Sequence, residues 1–215
     1  PQPNERFLRP PGAVPPGTME TGPDGAAGTP RKSFEEACTR CNKCVEVCPA
    51  QAIKLDPAGL IADGLPYILA RNTACVVCDS LACMHNCPDG ALLPIPKTAI
   101  RMGRAEVNQD TCLHHPLDTT RETGFAKTAF GSLPAKESFN CQACVDICPL
   151  GTAAILISPR TGRVRVQIAR DVTPDEPETV TGCIGCGLCE QACPVGPEAA
   201  IIVRPVEVRP DPIIA

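Results

Sequence analysis

The chain has 215 residues, enough for one or two domains, and its formal net charge of −4 argues against nucleic-acid binding, which needs a basic face. Only 3% of the residues are aromatic and tryptophan is absent, so the large side chains that usually dominate a hydrophobic core are scarce. No stretch approaches the roughly 20 apolar residues that a membrane-spanning helix needs, so we expect no transmembrane segment.

The first predicted element is an extended N-terminal arm, residues 1–32. It contains eight prolines and five glycines, a composition typical of low-complexity or extended chain. Either a flexible linker or an arm lying along a partner subunit would have this composition. The chain begins with Pro1 rather than an initiator methionine, which suggests a removed signal segment or a trimmed chain. We expect an exported protein.

Four groups of four cysteines follow, and each group ends in Cys-Pro. The groups are Cys38, Cys41, Cys44 and Cys48; Cys75, Cys78, Cys83 and Cys87; Cys112, Cys141, Cys144 and Cys148; and Cys183, Cys186, Cys189 and Cys193. The first and fourth read C-x2-C-x2-C-x3-C-P, the ligand run of bacterial ferredoxins. A disulfide framework or structural zinc would not repeat this pattern with a trailing proline. The sequence therefore predicts four [4Fe–4S] clusters with these sixteen cysteines as iron ligands.

The spacing within each group predicts a loop, a short helix and then a strand. Three cysteines at close intervals can wrap around one cluster, while the fourth, about one helical turn on, reaches a neighbouring cluster. Apolar stretches follow each Cys-Pro, and the segments 104–108 and 163–167 alternate like half-buried strands. Gly103 and Gly162 are predicted at hairpin turns.

The predicted fold class is α+β, with two bacterial-ferredoxin-like dicluster domains and extended Pro/Gly-rich termini. We expect one four-cluster unit of two interleaved dicluster domains over residues 33–203. An extended tail should cover residues 204–215, which contain three prolines.

Two groups depart from the regular pattern. The second group has four residues between its second and third cysteines, where the first group has two. The third group has a 28-residue insertion, residues 113–140, between its first and second cysteines. Loops of this length are often functional or disordered. His114 and His115 begin the insertion and are expected to be exposed, with a ligand or proton-relay role as the alternative. His85, between two cysteines of the second group, is a candidate for tuning a cluster by hydrogen bonding.

The order of the four groups resembles the NapG/MauM family of ferredoxin-type proteins. The segments 8–13, 108–112 and 141–150 also resemble it. The resemblance implies four [4Fe–4S] clusters, a periplasmic location beside the inner membrane, and a NapH-like membrane partner that oxidises quinol. Electrons would pass on to a c-type cytochrome or a reductase. The order is also similar to the iron–sulfur subunits of molybdopterin oxidoreductases, which would make the chain a relay in a larger respiratory complex.

Sequence order leaves two ways of pairing the groups. Adjacent groups could share clusters, or the first could pair with the fourth and the second with the third. We favour the nested pairing, because the two regular groups would match each other and because the resembled molybdoenzyme subunits are nested. Cys48 would then join the fourth group, and Cys148 the second.

The function predicted from these features is electron transfer rather than catalysis. The sequence contains no dinucleotide fingerprint, Walker loop or identifiable catalytic dyad. We therefore expect an electron-transfer subunit and not an enzyme in its own right. A structural or assembly protein, whose clusters only stabilise the fold, is the other class left open.

Overall fold

In a computed structural model, the described residues are 7–19, 30–114, 126–128, 131–133, 141–167 and 182–205. The helices in these ranges are short: α1 (Phe34–Ala37), α2 (Lys43–Glu46), α3 (Ala82–His85), α4 (Ala143–Asp146) and α5 (Leu188–Ala192). The strands are β1 (Ile53–Lys54), β2 (Tyr67–Ile68), β3 (Gly103–Val107), β4 (Ala126–Thr128), β5 (Gly131–Leu133), β6 (Ile155–Ile157), β7 (Val164–Val166) and β8 (Ile201–Pro205). Single 3₁₀ turns occur at Ala62–Gly64, Lys97–Ala99 and Gly151–Ala153. This mixed content agrees with the predicted α+β class.

The second domain, which carries the third and fourth cysteine groups, is enclosed by its first and last strands. Strand β3 pairs antiparallel with β8 over five residues, from Gly103 opposite Pro205 to Val107 opposite Ile201. Inside this frame β6 and β7 form a hairpin, with Gly162 at its turn as predicted. Buried and exposed residues alternate along the start of β3, as the sequence indicated for a half-buried strand.

The predicted turn at Gly103 is wrong. Gly103 is the first residue of β3, and the partner of β3 is the last described strand, almost 100 residues further along the chain. A side chain at Gly185 would overlap Gly103, because a Cβ atom there would lie 2.1 Å from the Gly103 nitrogen. Gly103 and Gly185 therefore allow their two backbones to approach closely, and Gly103 does not mark a change of chain direction.

The first domain, which carries the first two groups, is built in the same way with shorter strands. Strands β1 and β2 pair antiparallel, with Ile53 opposite Ile68. The N-terminal segment 7–14 supplies the outer strand: Leu8 exchanges backbone hydrogen bonds with Ile68, and Ala13 forms a β-bridge with Leu92. This bridge corresponds to the β3–β8 pairing of the second domain.

Residues 7–14 of the predicted arm are thus packed on their own chain. Leu8, Pro10, Pro11 and Val14 are buried. The Arg9 guanidinium lies 5.5 Å from the centre of the Phe34 ring and forms an ion pair with Glu35. Neither a flexible linker nor an arm along another subunit describes residues 7–14, because most of their apolar surface is already covered by this chain, whereas Met19 is exposed.

Several sequence predictions lie outside the described residues. These are the remainder of the N-terminal arm at 1–6 and 20–29, most of the insertion in the third group including His115, and the tail beyond residue 205. The bounds of the four-cluster unit at 33 and 203 remain predictions. Within the described ranges, no helix is long and apolar enough to cross a membrane.

We predict that Gly12→Ala destabilises the protein more than Gly59→Ala. Both glycines have a positive φ, 78° and 72°, so both variants incur a common backbone cost of about 1–2 kcal/mol. A Cβ atom at Gly12 would also lie 2.3 Å from the Leu93 carbonyl oxygen, whereas Gly59 has nothing within 4 Å. Such overpacking adds about 1–3 kcal/mol.

Anaerobic thermal unfolding, followed by the absorbance of the bound clusters, measures the difference between the two variants. A lower Tm for Gly12→Ala than for Gly59→Ala is expected. Equal Tm values would show that the N-terminal segment does not contribute to the stability of the first domain.

Candidate iron–sulfur centres

The loops that carry the cysteines share one backbone geometry. In three groups the residue two positions after the first cysteine has a positive φ: Arg40, Val77 and Gly185. The residue two positions before the third cysteine does too, namely Asn42, Leu81 and Gly187. Non-glycine residues rarely adopt this conformation, and a β-branched residue such as Val77 almost never does. The strain is concentrated where the loop must curl so that its cysteines face one point.

The third group departs from this geometry. Gln142, two positions before Cys144, has a φ of −118°. Its first cysteine is instead placed by a separate turn, in which the Cys112 N–H donates to the Asn108 carbonyl and the Asp110 N–H to the Asn108 side chain. Asn108 itself is attached to the end of the fourth group, because its N–H donates to the Ala200 carbonyl. In the third group, these contacts position Cys112, which in the other groups is done by the short spacing between the first and second cysteines.

The third cysteine of every group lies in a short helix, and the fourth follows that helix. Cys44, Cys83, Cys144 and Cys189 lie in α2, α3, α4 and α5. Helix α2 is followed within two residues by Cys48, and the same arrangement recurs at the other three helices. The helical offset turns the fourth thiol away from the first three, as the sequence predicted.

In the first domain, the thiols gather into two sets. Cys87 lies beside Cys38, Cys41 and Cys44, and the pKa of Cys44 is raised by burial first and then by these three neighbouring thiols. We call this set site I. Cys48 lies beside Cys75, Cys78 and Cys83 and acts in the same way on Cys83. We call this set site II.

In the second domain too, the fourth cysteine of each group lies with the first three cysteines of the other group. Cys148 lies with Cys183, Cys186 and Cys189, which form site III, and Cys193 lies with Cys112, Cys141 and Cys144, which form site IV. The residues of site III line a single pocket together with apolar side chains that include Leu150 and Ile184. The residues of site IV line a second pocket, with Leu113 and Val195 among its apolar neighbours.

The favoured nested pairing is therefore wrong, and so is the interleaving of the two domains. Cys48 lies with Cys75 of the second group, and Cys148 with Cys183 of the fourth. The physical reason is the strand pairing. The N-terminal segment closes the first domain around groups one and two, while β3 and β8 enclose groups three and four.

Backbone N–H groups point at the cysteine sulfurs. The sulfurs of Cys48, Cys87 and Cys193 accept hydrogen bonds from the N–H groups of Ala52, Leu92 and Ala200, at 3.3–3.4 Å. Each donor opens the apolar stretch that follows its Cys-Pro or lies within it. Hydrogen bonds to ligand sulfurs help to set the potential of a bound cluster.

Burial raises the pKa of the most enclosed thiols. It raises the pKa of Cys44, Cys83, Cys144 and Cys186 to about 12, and neighbouring thiols add to the effect. Burial also raises the pKa of Cys75 to about 11. Because iron ligands must be thiolates, binding displaces protons from these sulfurs. A strongly thiophilic centre suits such sites.

The histidines do not take the places expected of them. His85 is exposed at the end of α3, and the sulfur of Cys87 just beyond it accepts a backbone N–H from Leu92. His114 is buried rather than exposed, with 7% of its surface accessible, and its Nδ1 atom lacks a hydrogen-bond partner in the described structure. The His114 backbone N–H donates to Cys112 and lowers the pKa of that thiol, against the larger effect of burial.

The four sites form a row. Sites I and II share helices α2 and α3, and sites III and IV share α4 and α5, because each helix carries one thiol for a site and is followed by one for its neighbour. Sites II and III meet at the boundary between domains, where the Cys75 N–H donates to the Cys186 carbonyl at 3.0 Å. The exposed Cys41 belongs to site I, at one end of the row.

The donor set fits four-iron clusters. Each site offers four thiols from two or three separate segments, with a backbone N–H directed at one of its sulfurs, and sites III and IV have apolar linings. Such surroundings suit a cubane. Among the described residues, no three Cys, His, Asp or Glu side chains lie close enough together to bind a single metal ion.

Comparison with known proteins agrees with this geometry. Residues 37–91 and 139–197 match the model of the 4Fe-4S dicluster domain, one match for each domain described above. The chain is 34% identical to the methylamine utilization ferredoxin-type protein MauM of Methylobacillus flagellatus, with 96% of the chain and 72% of that protein covered. It is 30% identical to the ferredoxin-type protein NapG of Escherichia coli K12, over 93% of the chain and 71% of that protein.

We predict that substitutions within one site remove the same spectroscopic component. Cys38→Ser and Cys87→Ser should each alter the electron paramagnetic resonance (EPR) signal of one cluster, because both thiols belong to site I. Cys75→Ser should alter a different component, shared with Cys48→Ser. If Cys87→Ser instead changed the component that Cys112→Ser changes, the nested pairing would be restored.

Proposed function

Because this chain belongs to the MauM and NapG ferredoxin-type proteins, whose domains are of the 4Fe-4S dicluster kind, we propose that it relays electrons through four [4Fe–4S] clusters. The donor is a membrane-bound, quinol-oxidising subunit of the NapH type. The acceptor is a periplasmic redox protein, a c-type cytochrome or a reductase. The protein lies in the periplasm, peripheral to the inner membrane.

The observation that carries this proposal is the unbroken row of four thiol sites. Neighbouring sites share a helix within each domain, and sites II and III are joined by a direct hydrogen bond between their ligand loops. A protein whose clusters only stabilised separate domains would have no need of contact between ligand loops across the domain boundary. The row therefore favours electron transfer over a purely structural role.

Each bound cluster supplies a centre that takes up and releases one electron with little change of structure. The residues around it set the conditions for this exchange. Apolar side chains such as Ile184 and Leu113 limit access of water, and backbone N–H groups such as that of Ala200 stabilise negative charge on sulfur.

The two ends of the row are the natural places for the donor and the acceptor. Site I includes the exposed Cys41, so a redox partner can approach it closely. Site IV lies at the other end, next to the turn that begins the insertion of the third group. A relay with partners at opposite ends uses all four sites in sequence. The adjacent pairing also removes one reason for preferring a molybdoenzyme relay subunit, since the nested order was expected for that class.

We predict about sixteen iron atoms and sixteen sulfides per chain in anaerobically prepared protein, which follows from four cubanes. Iron and acid-labile sulfide analysis measures both. A Cys41→Ser variant, altered at the exposed end of the row, should retain the iron of the other three sites. Substantial zinc in the native protein, or iron near half the expected amount, would contradict the four-cluster proposal.

We predict that the bound clusters are reversibly reduced and that quinol supplies the electrons only through the membrane partner. A potentiometric titration followed by EPR should show several one-electron transitions. Membranes that contain the quinol-oxidising partner should reduce the protein when a quinol is added, and membranes without it should not. Clusters that do not cycle would contradict electron transfer, and reduction that does not depend on the partner would contradict the proposed donor.

A further inference from the structure

The boundary between the two domains is centred on a short segment of the first domain, residues 70–75. Within it, the Arg71 guanidinium donates three hydrogen bonds to the second domain. Its acceptors are the backbone carbonyls of Glu190, Cys193 and Val195, each at 2.8 Å. All three lie in or just after helix α5, which carries Cys189 of site III and is followed by Cys193 of site IV.

Two further hydrogen bonds join the same segment to the second domain. The Ala74 N–H donates to the Gln191 side-chain oxygen at 3.0 Å. The Cys75 N–H donates to the Cys186 carbonyl, also at 3.0 Å. The contact is close, because a Cβ atom at Gly187 would lie only 2.5 Å from that of Ala70. The ligand loops of sites II and III therefore touch through their backbones.

The chemistry of the guanidinium suits this position. The last carbonyls of a helix and the turn after it lack partners within the helix, and they carry partial negative charge. Arginine presents five N–H donors in a rigid plane and can serve several carbonyls at once, whereas lysine offers one point charge on a flexible stem. Without Arg71, the carbonyls of Cys193 and Val195 would lose the donor described here, and that of Glu190 would keep only the Cys193 N–H at 3.4 Å.

We propose that Arg71 is the positioning residue for electron exchange between the two domains. It fixes the loop of Cys75 against the loop of Cys186, so that sites II and III form the step between the halves of the row. One electron leaves the reduced cluster of one site, which is oxidised, and enters the oxidised cluster of the other, which is reduced. No covalent bond changes and no proton is transferred. This inference rests on the proposed function.

The test compares Arg71→Met and Arg71→Lys in the full protein with its clusters. Methionine keeps much of the side-chain length without any donor, and lysine keeps the charge without the planar fork. Arg204→Met is the matched control, because Arg204 pairs with Glu106 inside the second domain and lies half exposed. Gln191→Met removes a different contact at the same boundary.

Iron and sulfide content is measured first, to confirm that each variant retains its clusters. EPR of the fully reduced protein then reports the magnetic interaction between clusters in neighbouring sites. Rapid freezing after partial reduction reports the rate at which electrons equilibrate between the domains. Both readouts depend on the distance between sites II and III, and neither needs a physiological partner.

With full iron content, Arg71→Met is expected to lose the magnetic interaction across the boundary and to equilibrate several-fold more slowly. Arg71→Lys and Gln191→Met should show smaller changes in the same direction, and Arg204→Met none. If Arg71→Met loses iron, the comparison moves to Arg71→Lys. Wild-type interaction and rate in an iron-replete Arg71 variant would overturn the proposal.

Failure of the inference and failure of the proposed function have different signatures. If the clusters of the unaltered protein take up no electrons, the electron-transfer function fails, and the role of Arg71 in it fails too. If the unaltered protein cycles normally and the Arg71 variants match it, only the role of Arg71 is refuted.

Discussion

Each fourth cysteine completes the site of the other group in its domain, and this exchange ties the two halves of a domain together. Cys87 can join Cys38 and Cys44 only if the loops of both groups face each other. Helices α2 and α3 are therefore in contact with each other rather than independent turns. The strands that flank them close the domain from outside. In a chain with so few aromatic residues, thiol sites and their apolar cover take the place of a conventional core.

The local chemistry of the sites was readable from the sequence because it depends on short spacings. The cysteine intervals predicted the loop, the short helix and the outward fourth thiol, and the structure has all three. The apolar stretches after each Cys-Pro became β1, β6, β8 and the bridge at Leu92. These features are set within about ten residues of chain, where backbone geometry decides the outcome.

Pairing of the groups could not be read in the same way, because it depends on contacts between distant residues. Composition marked residues 1–32 as an extended arm, and of this arm only residues 7–19 and 30–32 lie in the described ranges. Composition does not reveal that Leu8 and Val14 are buried, or that their backbones form hydrogen bonds with Ile68 and Phe34. The role of Arg71 could not be predicted either, because an arginine four residues before a cysteine forms no distinctive sequence pattern. Its partners lie more than 115 residues further along the chain.

The strand pairings that close the two domains also have a consequence for biosynthesis. The first domain has its closing contacts within the span from Leu8 to Leu93, so it can be completed while the rest of the chain is still being made. The second domain cannot close until β8 has been synthesised, because β3 has no other strand partner in the described structure. Domains generally fold as units, the N-terminal one first. Closure of the second domain around sites III and IV must therefore wait until translation has passed Pro205, so this domain is completed after the first.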